Sequence, residues 1–197
     1  GSLRDKPAAR TGLRVVTVPD LRWARRDIKT VQLLYSSMAK TKAKRRGADD
    51  AWLVEDGCVT EGSSNNAYIV DASGRLITRP PSHAILPGIT RTAVLRLAGE
   101  AGIPIEERAF SVEEALAARE AFITSASSFV LPVVEIDGQP IGDGRPGETA
   151  GRLRETGVPV VLMYGAHDWM DVAGGHAAME KLNAEKRRAL AHASEEE

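Results

Sequence analysis

Cysteine is nearly absent: Cys58 is the only one in 197 residues. An internal disulfide is therefore excluded, and the scarcity fits a reducing compartment. An excess of one charge is lacking too. The chain has 26 Lys and Arg against 27 Asp and Glu, a formal net charge of −1. That balance gives no overall pull toward nucleic acid or an anionic membrane. No apolar run approaches the ~18 residues that a membrane span requires. The first residues carry no signal-peptide pattern, and no internal repeat is visible. These absences lead to the expectation of a cytoplasmic protein with neither nucleic acid nor membrane as partner.

What is present is ordinary for a globular chain: 43% hydrophobic and 27% charged residues. The length suits one large domain or two small ones. The basic run Lys40, Lys42, Lys44, Arg45 and Arg46 reads as the solvated end of a helix, not a nucleic-acid patch.

Alternation predicts a strand over Leu13–Val18, ended by Pro19-Asp20. Thr30–Arg46 reads as an amphipathic helix whose apolar face is Val31, Leu33, Leu34, Met38 and Ala39, stopped at Gly47. Ala51–Glu55 is a strand, Asp56-Gly57 a hairpin turn, and Asn66–Val70 the returning strand. Arg75–Thr78 is a further strand. A helix follows Gly88-Ile-Thr-Arg91 to about Glu100 and stops near Gly102. Glu113–Arg119 is a short helix. Ala121–Thr124 and Val130–Ile136 are strands around a Ser-rich loop, and Asp137-Gly138 is a second hairpin turn. Short strands with a few helices imply an α+β domain. After Arg154 the pattern changes to a continuous apolar strand, Val158–Tyr164, and a charged helix, Ala177–Ala193. The expected domains are 1–154 and 155–197.

Four groups of residues carry candidate chemistry. Lys29 has Arg22, Arg25 and Arg26 nearby, and positive neighbours favour a deprotonated, reactive amine. Alone, such a lysine is usually a surface residue. Glu61 lies in Val59-Thr-Glu-Gly-Ser-Ser-Asn-Asn66, at a strand end where a carboxylate could face a ring nitrogen. Gly88-Ile-Thr90-Arg91 opens a helix and offers free N–H groups to an anion, or is simply N-capped by Thr90. Thr124-Ser-Ala-Ser-Ser128 is a small-residue loop that can approach a phosphate, or a plain connection.

Taken in order, Asp27-Ile-Lys-Thr30, Val59-Thr-Glu-Gly-Ser-Ser-Asn65, Ile85-Leu-Pro-Gly-Ile-Thr-Arg91, Phe122-Ile-Thr-Ser-Ala126 and Pro132-Val-Val-Glu-Ile-Asp-Gly138 resemble class-IV aminotransferases. Within them the chain is most similar to the D-amino-acid enzymes. The resemblance covers about residues 13–152. It implies the C-terminal domain of that fold, a barrel-like sheet with packed helices, and pyridoxal 5′-phosphate as cofactor. It implies amino transfer between an amino acid, D- or branched-chain, and a 2-oxo acid, in a homodimer; 4-amino-4-deoxychorismate is a third substrate candidate. By the same resemblance, Lys29 forms the Schiff base and shuttles the proton, and Glu61 faces the pyridinium nitrogen. Leu86 packs on the ring, Ile89 and Thr90 bind phosphate, and Ser125 and Ala126 make a second phosphate contact. Three departures stand out. Ala126 occupies a position often held by threonine. Only 28 residues precede Lys29, where the family has a whole domain. Val158–Gly175 resembles an α/β-hydrolase acid loop, with Asp168 or Asp171 as the acid, yet no Gly-x-Ser-x-Gly elbow occurs. Hydrolase activity is therefore rejected. Any metal reading of His167, Asp168, Asp171 and His176 yields to an ordinary polar loop. The rival expectation is an inactive scaffold that keeps the fold.

Overall fold

The computed structural model describes residues 6–156. They lie within one compact unit of the chain, Gly1–Thr156. The hydrolase-like segment with His167, Asp168, Asp171 and His176 lies outside the described residues. No helix among the described residues is long and apolar enough to cross a membrane.

The elements are α1 Ala8–Thr11, β1 Leu13–Pro19, α2 Leu34–Arg45, β2 Asp50–Glu55, β3 Cys58–Gly62, β4 Asn66–Val70 and β5 Leu76–Thr78. They continue with α3 Ile89–Glu100, β6 Ile105–Glu107, α4 Val112–Leu116, β7 Glu120–Ser125, β8 Phe129–Ile136, β9 Gln139–Pro140 and α5 Glu148–Glu155. The strands form one mixed sheet in the order β3-β2-β1-β8-β7-β4-β5-β6, with β9 on β8. The predicted α+β class holds. Both predicted hairpin turns are real. Asp56-Gly57 and Asp137-Gly138 place two successive residues at positive φ (52° and 74°, 49° and 81°), as a type I′ turn demands.

The sheet curls into a half-barrel, and connectivity requires it. Four strands stand between β3 and β4 in the pairing order, so a flat sheet would separate them by about 24 Å at ~4.8 Å per strand. The stretch from Gly62 to Asn66 reaches at most ~14 Å. The two strands are in contact, and the Gly62 N–H donates to the Asn65 carbonyl at 2.8 Å.

The curl also corrects one expectation. Asn66–Val70 is not the returning strand of the Asp56-Gly57 hairpin; Cys58–Gly62 is, pairing antiparallel with β2. β4 pairs instead with β5 and β7. A second correction concerns α2, which starts at Leu34 rather than Thr30. Its buried face is Ala39 and Ala43, packed on Val16, Val18, Ala51 and Leu53. Small residues let the helix sit close on the sheet. The large apolar residues Val31, Leu33, Leu34 and Met38, read as its core face, are exposed.

Alternation along β1 feeds two cores. Val15 joins Trp52, Val59, Ile123 and Phe110 on one face; Val16 and Val18 meet α2 on the other. Trp52 meets Phe110 edge-on at 6.1 Å, and Tyr68 stacks on Phe122 at 4.7 Å. The start of α5 is anchored by the buried Glu120, whose carboxylate accepts from Thr149 N–H at 2.9 Å, Thr149 Oγ1 at 2.8 Å and Ala150 N–H at 3.2 Å.

Candidate functional site

Glu61 lies inside β3 near its end, with its residue only 4% exposed. Its carboxylate is held by three donors. Arg22 Nη1 donates to Oε1 at 2.5 Å. Asn66 Nδ2 and the Leu86 N–H donate to Oε2, each at 3.1 Å. The same Asn66 amide donates to the Leu86 carbonyl at 2.9 Å, which ties the start of β4 to the turn before α3. Gly88 completes this junction. A Cβ there would stand 2.5 Å from Asn66 Oδ1, so the close approach needs glycine for space.

Gly88 is the N-cap of α3. Thr90 is therefore inside the first turn and is not the cap. No side chain caps this helix, and its first turn holds no acidic residue. The leading N–H groups thus lack chain partners and form the positive end of the helix dipole. Thr90 is buried and Ile89 is half exposed.

The electrostatics extend behind Glu61. Asp20, with its side chain fully covered, accepts from Arg22 Nε at 2.9 Å, Arg22 Nη2 at 2.7 Å and Thr60 Oγ1 at 2.7 Å. Burial pushes the Asp20 carboxyl up, but the Arg22 and Thr60 hydrogen bonds outweigh it and hold the group below its ordinary value. Burial also pushes Glu61 up. There Arg22 and the Leu86 N–H pull back only part of the way, and the carboxyl stays above its ordinary value. The positive neighbours read near Lys29 are each paired with a carboxylate: Arg22 with Asp20 and Glu61, Arg25 with Asp27, and Arg26 with Glu55.

Lys29 is exposed, on the irregular segment between β1 and α2. That segment is docked on the site at two points, by Arg22 on Glu61 and by the Arg26 N–H on the His83 carbonyl at 3.0 Å. Ser125 ends β7, and Thr124 before it pairs with Asn66. The Ser-rich loop therefore starts beside the same strand end. Ala126 is exposed, and Lys6 Nζ holds the loop through Ser127 O at 2.8 Å and Ser128 Oγ at 3.0 Å. Direct contacts thus join Glu61, Leu86 and the start of α3; Lys29 lies on the docked segment, three residues after Arg26, and makes no hydrogen bond or ion pair to them among the described residues. Two open hollows elsewhere, one around Arg14, Thr17 and Asp137 and one around Thr11 and Pro140, hold none of these groups.

Sequence reasoning missed Arg22 as the partner of Glu61; it read Asp20 only as a strand end and gave Asn66 no role in the site. Asp20 and Arg22 are two residues apart, a spacing that permits a local pair. Nothing in the sequence signals a contact across the 39 residues from Arg22 to Glu61.

The model of the family described as amino-transferase class IV matches residues 2–136. The chain belongs to that family. A D-alanine aminotransferase of Bacillus licheniformis is 47% identical over 136 residues, covering 69% of this chain and 48% of that protein. One from Staphylococcus aureus (strain N315) is 40% identical over 144 residues, covering 73% and 51%. The solved branched-chain amino acid aminotransferase of Thermobaculum terrenum, in its PLP form, superposes with a TM-score of 0.68 at 27% identity. That match covers 79% of this chain and 52% of that one. The chain spans about half the length of the class IV relatives it matches.

Proposed function

We propose that this chain carries the pyridoxal 5′-phosphate-holding part of an aminotransferase that moves an amino group between an amino acid and a 2-oxo acid. The observation that carries the reading is the buried Glu61 carboxylate fixed beside the bare start of α3. A carboxylate offers about four lone-pair sites. Three donors occupy Glu61, which leaves room for a ring N–H. The start of α3 suits a phosphate. These residues fit the cofactor.

In this reading Lys29 Nζ is the covalent anchor and moves the proton between donor carbon and acceptor. Glu61 faces the pyridine nitrogen, Leu86 flanks the ring, and the Ile89 N–H and Thr90 take the phosphate. Ser125 and the Ala126 N–H approach it from the loop. When bound, the cofactor supplies a carbonyl for the amino group and an electron sink. D-amino acids are the first substrate candidates, because the curated relatives are D-alanine aminotransferases. Branched-chain amino acids come next. A cytoplasmic homodimer belongs to the same proposal. The exposed Trp23, Ile28, Val31, Leu34 and Met38 suit cover by another protein surface. Residues 1–154 would carry this chemistry, and 155–197 would be an appendage outside it.

The exposure of Lys29 favours a second reading, a scaffold that keeps the fold without turnover. One titration separates the two. Adding pyridoxal 5′-phosphate should produce the visible absorbance band of the lysine-bound cofactor, and Lys29→Ala should abolish it with the circular dichroism unchanged. A folded chain that gives no band sinks the aminotransferase reading in favour of the scaffold.

A further inference from the structure

We propose that Arg22, seated by Asp20 and Thr60, is a positioning residue that aims the Glu61 carboxylate and keeps its negative charge available to the ring nitrogen of the cofactor. The proposal rests on the aminotransferase reading above. Its basis is geometry. Two parallel bonds from Arg22, Nε to Oδ1 at 2.9 Å and Nη2 to Oδ2 at 2.7 Å, fix the guanidinium plane on Asp20. The remaining Nη1 is then directed onto Glu61 Oε1 at 2.5 Å. Thr60 Oγ1 donates to the same Asp20 from the residue before Glu61, at 2.7 Å. Arg22 is thus locked between the end of β1 and the end of β3. A point charge could not hold both carboxylates in this way, because the arrangement uses the fork of a guanidinium.

Charge follows from the same arrangement. The ionisable groups that bear on Glu61 are Arg22 in contact and Asp20 behind it. Arg26 lies 3.6 Å from Asp20 and is itself paired with Glu55. From β4 and the turn before α3, Glu61 receives only the neutral donors Asn66 and Leu86. Without Arg22, a buried carboxylate on two neutral donors takes up a proton more readily. It would then present an O–H where the ring nitrogen needs an acceptor.

Two readouts test this besides turnover: the titration of the Glu61 carboxyl carbon by NMR in the cofactor-free protein, and cofactor affinity from the visible band. Arg22→Met should raise the Glu61 midpoint by about 1–2 pH units and weaken cofactor binding about tenfold or more. Arg22→Lys should recover part of both. In a Glu61→Gln background, Arg22→Lys should leave the affinity unchanged. If Arg22→Met does not fold, the unaltered protein still decides: the Arg22 side-chain nitrogen resonances should titrate with the Glu61 midpoint. Silent Arg22 resonances overturn the proposal, as does a folded Arg22→Met with an unshifted Glu61. Co-titration in a protein that shows no cofactor band at any pH leaves the coupling standing and removes the aminotransferase reading instead.

Discussion

Two helices of this chain start in nearly the same way and are used differently. α3 and α5 each have a glycine N-cap without a side-chain cap, Gly88 and Gly147. At each, a neighbouring side chain crowds the place a Cβ would take: Asn66 at Gly88 and Glu120 at Gly147. At α5 the intruder is a carboxylate, which accepts the leading N–H groups and neutralises the positive end. At α3 it is a neutral amide. The Glu61 carboxylate beside it is engaged by Arg22, Asn66 and the Leu86 N–H. One helix start is filled from within and serves the fold. The other leaves its leading donors without a side-chain cap, which suits the anion site proposed above.

The contrast can be broken from either side. The largest effect is expected at α5. Glu120→Ala would strip the Thr149 and Ala150 donors of their partner inside the core and should cost about 3 kcal/mol of stability, measured by urea unfolding. Thr90→Asp would convert α3 toward the α5 arrangement. Stability should change by less than about 1 kcal/mol, while cofactor affinity falls about tenfold as the new carboxylate repels the phosphate. Unaltered affinity would mean that the phosphate goes elsewhere. Smallest is Ala126→Thr, which returns a hydroxyl to the Ser-rich loop. A gain of about 0.5–1.5 kcal/mol in cofactor binding is expected, readable by calorimetry. No gain would place residue 126 beyond reach of the phosphate.

Most of the strands were legible in the sequence because alternation and turn chemistry are local. Leu13–Val18 alternates, Val130–Ile136 is a β-rich apolar run, and the two Asp-Gly turns declare themselves. Other elements were harder to see. β6 has three residues and is set by pairing with β5. α5 carries glycine in its middle and depends on Glu120, far earlier in the chain. β3 was hidden in a polar stretch, Thr60 to Ser63, whose burial comes from the curl of the sheet. The inverted face of α2 has a similar cause. Periodicity marks which residues share a face, not which face finds a partner, and here alanine packs while leucine stays exposed. Within the site, Glu61, Leu86 and the α3 start came together as a set only through the resemblance to class-IV aminotransferases. The Asp20–Arg22–Glu61 chain was not legible, because it exists only after β1, β2 and β3 align.

The three-residue link between Gly62 and Asn66 gives the site an unusual vulnerability. Glu61 is fastened to the β1–β2 side of the sheet, and Asn66 with α3 to the β7 side. The site therefore straddles the place where the curl of the sheet brings β3 against β4. A substitution in the curled sheet that opens or shears it would draw the carboxylate away from the start of α3, with no site residue altered. In the proposed site, ligand alignment would be a property of the whole sheet.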